Sequence, residues 1–135
     1  MSKYLDRAKK VRAIVTPHYN CAQSVIISFA PEAGITDEMA MNIGVNFGGG
    51  MKMASVCGAL TGALMTLGLF GIDDVAILQE IYRGMRERHE GYMDCKDLLR
   101  INHEKGQEKK PHCDAMVYEM VEVVENILRR EGKIE

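Results

Sequence analysis

An unbroken apolar segment is missing from the N-terminus. The opening residues, MSKYLDRAKKVRAIV, interleave charges with apolar side chains, whereas a secretory leader needs a continuous apolar core. The expected address is therefore cytoplasmic, where structural disulfides are rare. An excess of either charge is missing too. Seventeen Lys and Arg stand against nineteen Asp and Glu, a formal net charge of −2, which leaves no electrostatic footprint for nucleic acid. Tryptophan is absent and aromatics are few, while ten methionines are present; this predicts a core filled by flexible aliphatic side chains. The usual catalytic signatures are also absent. There is no HExxH, no GxSxG and no paired-carboxylate pattern, and no CxxCH that would attach haem.

One stretch requires a membrane test. From Met53 to Ile72 no residue is charged, and that length could span a bilayer. Its many glycine, serine and threonine residues lower its mean apolarity, and no Trp/Tyr belt flanks it. The expectation is a helix buried at the centre of a bundle, with no membrane span.

Apolar spacing along the chain is helical nearly throughout. Leu5, Ala8, Val11, Ile14 and Val15 mark a first helix, which Pro17 stops. Asn20 can cap a second that runs to Ala30, with Pro31 and Gly34 ending it. Thr36 can cap a third, leading toward Gly48-Gly49-Gly50. The fourth is predicted over Met53 to Phe70. The fifth starts at Asp73 or Asp74 and places Val75, Leu78, Ile81, Tyr82 and Met85 on one face. Asp94 can cap a sixth from Cys95 to about His103. Pro111 suits the first position of the last, where Val117, Met120, Val121, Val124, Ile127 and Leu128 form a clean stripe. Met41 to Phe47 alternates as a strand might, but no second strand exists to pair with it. The predicted architecture is all-α, a compact single-domain bundle of six or seven helices over residues 1–135.

Four cysteines, Cys21, Cys57, Cys95 and Cys113, remain to be explained in such a chain. They point to metal binding, redox chemistry or inert burial. No CxxC pair exists, so zinc-ribbon and thioredoxin signatures are absent. Three of the four, Cys21, Cys95 and Cys113, are predicted in the first turns of helices, where backbone N–H groups and the helix dipole favour the thiolate. Cys57 is predicted about a turn inside the fourth helix. His18, His89, His103 and His112 are the other soft-ligand candidates, His112 being next to Cys113; the ordinary reading of each is a surface or capping residue.

Gly48, Gly49 and Gly50 lack both the preceding strand and the lysine pattern of a phosphate loop. They read as a connection needing positive φ and close backbone approach. A variant reading lets their N–H groups donate to cluster sulfurs. Ala54, Gly58 and Gly62 lie four apart, with Ala59 and Ala63 beside them. Such a small-residue face admits another helix at short distance, within the chain or across a homodimer.

The segment Cys-Gly-Ala-Leu-Thr-Gly at Cys57 to Gly62 resembles the CGAxxG motif of the C_GCAxxG_C_C family. The likeness extends to Asn20-Cys21-Ala22-Gln23, to Phe47 through Met51, to Cys95-x-x-Leu98-Leu99, and to Cys113 as the last family cysteine. Asp114 stands where a proline often follows that cysteine, and Lys52 to Val56 is less glycine-rich than usual. The resemblance implies redox activity through Cys21, Cys57, Cys95 and Cys113, without an assigned substrate; Gly48, Gly49, Gly50 and Gly58 are the candidate cofactor-binding residues beside them. A similar domain occurs in split-Soret cytochromes, where an iron–sulfur centre has been suggested. Four thiolates are the ligand complement of such a cluster, used for electron transfer or redox sensing. Two alternatives stay open: a thiol–disulfide protein with a reactive cysteine pair, and a structural zinc site with four thiolate ligands. The partner would be a redox protein or a small-molecule oxidant or reductant.

Overall fold

The computed structural model describes residues 2–135. Seven right-handed helices account for most of them: α1 (Lys3–Ala13), α2 (Cys21–Ala33), α3 (Asp37–Gly44), α4 (Gly58–Leu69), α5 (Val75–Arg88), α6 (Cys95–Glu104) and α7 (Lys109–Arg130). No strand forms among the described residues; the only β-type pairing is one antiparallel bridge, Val56 with Asp94. None of these helices is long and apolar enough to cross a membrane.

The core lies where α4 and α7 meet α2. The fully buried set includes Phe29, Leu60, Leu67, Met85, Met120 and Leu128. All six residues of the apolar stripe on α7 are buried, because they recur at the helical period on the face turned inward. A smaller cluster of Ile26, Ile27, Ala30 and Ala40 joins α2 to α3. Asn20 caps α2 reciprocally: its side chain accepts from the Gln23 N–H at 2.8 Å, and the Gln23 side chain accepts from the Asn20 N–H at 2.8 Å. Thr36 caps α3 and Asp74 caps α5.

Several boundaries depart from the sequence expectation. α1 ends at Ala13, so Ile14 and Val15 lie outside it and are exposed; its inward face is Tyr4, Ala8 and Arg12. Tyr4 stacks on Phe29 at 4.6 Å between centroids, which turns the helix toward α2. α2 continues through Pro31 to Ala33, and the left-handed Gly34, whose N–H bonds back to the Ala30 and Pro31 carbonyls, ends it. On α5 the buried residues are Ile77, Ile81 and Met85, while Val75 at the first turn points outward. Asp94 precedes α6 but its side chain caps nothing. α7 starts at Lys109, two residues before Pro111, which places Cys113 fifth in the helix rather than in its first turn.

The largest departure concerns α4, which begins at Gly58 instead of Met53. The preceding residues Gly49, Gly50, Met51, Lys52 and Ala54 all have positive φ, between 57° and 66°. This left-handed turn closes with a bond from the Ser55 N–H to the Gly50 carbonyl at 2.8 Å. A right-handed helix cannot pass through it. Three of its residues carry side chains, at a cost of about 1–2 kcal/mol each in that region. Cys57 is consequently the residue that caps α4, not one inside it.

Gly62 sets the distance between α4 and α2. A Cβ built on it would lie 2.8 Å from the Ala22 carbonyl oxygen and 2.9 Å from the Ala22 Cα. The small-residue face is thus filled by α2 of the same chain. Gly62→Ala should destabilise the fold by about 1–3 kcal/mol through overpacking, despite the better helix propensity of alanine. Gly68→Ala on the same helix meets nothing within 4 Å and should be neutral or stabilising by up to about 1 kcal/mol. Chemical denaturation of the two variants checks this; equal effects would contradict the close approach.

Candidate functional site

Four chain segments converge at one end of the bundle. Cys21 is the first residue of α2, Cys57 caps α4, Cys95 is the first residue of α6, and Cys113 is one turn into α7. Backbone pairing brings two of these ends together. The Cys57 N–H donates to the Met93 carbonyl at 2.9 Å, and the Cys95 N–H donates to the Ser55 carbonyl at 2.6 Å. The left-handed turn delivers Ser55 to this pairing: Gly50 lies so near Ser55 and Cys95 that a Cβ there would sit 2.5 Å from the Ser55 oxygen and 2.9 Å from the Cys95 Cβ. A third end joins through Gly58, whose missing side chain leaves the Cys21 Cβ 3.4 Å from where its own Cβ would be.

All four cysteines line a single cavity of about 330 Å³. None forms a disulfide; Cys57 is buried and the other three are half-buried. Leu98 and Met116 supply buried apolar wall, and Gly49, Gly50 and Gly58 present backbone to it. Gly48 does not line the cavity. It packs against Asn20, where a Cβ would come within 2.5 Å of the Asn20 side chain. His18 and His112 reach the cavity, and burial holds His112 below the usual histidine range. His89 instead pairs with Glu119 at 2.9 Å in an adjoining cleft, and His103 is exposed.

Sequence reasoning missed the positive wall. Arg12, Lys109 and Lys110 line the same cavity, and among the described residues no Asp or Glu does. Arg12 is buried; it donates to Asp114 at 2.7 Å and to the Tyr19 carbonyl at 2.8 Å. The signal was present in the spacing: Tyr4, Ala8 and Arg12 follow one another at four-residue steps on the inward face of α1. Charged residues are seldom buried unpaired, so an arginine on that stripe reads as an ion-paired group.

The thiols differ in acidity. Interaction between the neighbouring Cys21 and Cys113 thiols raises Cys21 and lowers Cys113 to about 7, so that the proton is held at Cys21. Arg12 and Lys109 also favour the Cys113 thiolate, against the effect of burial. Burial pushes Cys57 up to about 11, opposed by the N–H groups of Ala59 and Leu60 at the start of α4. Burial raises Cys95 as well. A helix N-terminus therefore does not suffice to ionise Cys21 or Cys95, contrary to the sequence expectation; for Cys21 the interaction with Cys113 and burial outweigh it, and for Cys95 burial does. Among the described residues no three His, Cys, Asp or Glu side chains group closely enough to hold a single metal ion.

In the reduced, metal-free protein, Cys113 should alkylate first, at a rate that climbs as pH rises through about 7, while Cys57, with its acidity near 11, lags. Peptide mapping by mass spectrometry after brief iodoacetamide treatment reads the order. Uniform labelling of all four thiols would contradict the assignment.

No curated protein and no solved structure matches the chain. A family model described as "Putative redox-active protein (C_GCAxxG_C_C)" matches residues 19–127, a span that contains all four cysteines and the glycines of the cavity wall. That match covers most of the chain, and by it this protein belongs to the C_GCAxxG_C_C family.

Proposed function

We propose that Cys21, Cys57, Cys95 and Cys113 are the ligands of an iron–sulfur cluster that serves electron transfer or redox sensing. The observation that carries this reading is the cavity of about 330 Å³ walled by all four thiols. The donor set fits: four thiolates are the ligand complement of a two-iron or four-iron cluster. When bound, such a cluster would supply one-electron chemistry at a potential tuned by net charge and solvent exposure.

The protein's own residues would do the rest. Arg12, Lys109 and Lys110 offset the negative charge that four thiolates bring into a half-buried site. Leu98 and Met116 keep one wall dry. The backbone of Gly49, Gly50 and Gly58 approaches the cavity where a side chain would otherwise intrude. The thiols raised by burial would lose their protons on metal loading, so loading is favoured as pH rises. The electron donor or acceptor would be a redox protein or a small oxidant or reductant.

A second reading has its own support in the contrast between Cys21 and Cys113, which line the same cavity, the first thiol raised and the second lowered to about 7. The Cys113 thiolate would attack a substrate disulfide and release one thiolate. Cys21, giving up its proton to the departing sulfur, would then attack the mixed disulfide at Cys113, closing an internal disulfide and releasing the second half of the substrate as a thiol.

Anaerobic purification or reconstitution separates the readings. The cluster predicts a brown protein with visible absorption and about two or four irons per chain. A colourless, iron-free product after reconstitution overturns it. In that case a loss of two free thiols on mild oxidation supports the dithiol, and one bound zinc per chain supports a structural site.

A further inference from the structure

Arg12 lies outside the residues that the family match covers, 19–127, yet it is the most buried charged group on the cavity wall, at 6% exposure. We infer that Arg12 is a positioning residue of the redox site: its guanidinium joins α7 to α2 beside Cys113 and Cys21, and its charge sets the reduction potential of the couple these sulfurs carry. The inference rests on the proposed redox role of the four thiols, but not on which of the two couples operates.

The geometry supports both parts. From α1, Nε of Arg12 donates to Asp114 Oδ1 at 2.7 Å, on the residue that follows Cys113. Nη1 donates to the Tyr19 carbonyl at 2.8 Å and to Ser24 Oγ at 3.4 Å, on either side of Cys21. One side chain thus spans both anchor points of the Cys21–Cys113 pair. Asp114 does not cancel its charge. Lys110 Nζ also donates to Asp114, at 3.1 and 3.2 Å, so two cations share one carboxylate. Arg12 and Lys110 line the cavity whereas Asp114 does not. The sulfurs therefore face the positive side of the trio, in a half-buried setting where charges are weakly screened. The same charge favours the thiolate of Cys113 and of Cys21.

Reduction adds negative charge in either couple. A cluster gains one electron. A Cys21–Cys113 disulfide takes two electrons and one proton to give a thiol and a thiolate. A nearby cation stabilises the reduced form in both, so its removal lowers the potential. Removal of the neighbouring carboxylate does the opposite.

The test is the midpoint potential of the full chain in wild type, Arg12→Gln, Arg12→Lys and Asp114→Asn, with thermal melting to record folding. Arg12→Gln is expected to weaken reduction by about tenfold, a negative shift of about 59 mV for a one-electron couple or about 30 mV for a two-electron one. Arg12→Lys is expected to stay near wild type, and Asp114→Asn to shift positively. A purely structural role would not give shifts of opposite sign, and if Arg12→Gln fails to fold, the other two variants decide. An Arg12→Gln potential equal to wild type overturns the inference; so does an Asp114→Asn shift that is negative or absent. A coloured one-electron couple or a colourless two-electron couple reports separately on the functional reading, and either conclusion can fail alone.

Discussion

Backbone-to-backbone contact between α2 and α4 is the constraint from which the site follows. Ala22 and Gly62 meet where no Cβ fits, and Gly58 repeats the approach one turn earlier, beside Cys21. With the axes this close, the first residue of α2 and the cap of α4 open onto the same space. A second device adds the end of α6. The left-handed turn at Gly49–Ala54 sends Ser55 and Cys57 alongside Met93 and Cys95, so that two helix starts are tied by two backbone hydrogen bonds. Left-handed backbone at Met51, Lys52 and Ala54 is costly, and such strain gathers at functional sites. Here it lies next to the cavity and sets the direction from which Cys57 enters.

Gathering four thiols in a half-buried space creates an electrostatic problem whose solution is visible in the wall. Burial disfavours ionisation of Cys57 and Cys95, and interaction with Cys113 together with burial keeps the proton on Cys21. Only Cys113 is lowered, with Arg12 and Lys109 contributing. One site thus holds one ready thiolate and three thiols that a metal would have to deprotonate. That asymmetry gives the dithiol reading its support, while the single cavity shared by all four supports the cluster reading.

Much of this was legible in the sequence. The α7 stripe, the caps Asn20, Thr36 and Asp74, and the close-contact face at Gly58 and Gly62 are local patterns, and local patterns fix them. The family resemblance marked all four cysteines that the cavity brings together. The start of α4 was not legible, because Met53 to Val56 is as apolar as a helix and only the left-handed turn before it forbids one. Nor was the start of α7: Pro111 suits a first position, but the chain is already helical from Lys109. Arg12 went unread for a different reason. Leu5, Val11, Ile14 and Val15 drew the inward face toward themselves, whereas the face that packs is Tyr4, Ala8 and Arg12, a four-residue spacing masked by the charge of the arginine.

The central claim is that four thiols distant in sequence share one cavity. Treating the reduced protein with a short bifunctional thiol reagent, followed by peptide mapping, measures this without reference to any metal. The account predicts a cross-link joining Cys21 to Cys113, together with links that draw Cys57 or Cys95 to the same pair. Four independent single adducts, with no peptides joined, would contradict it.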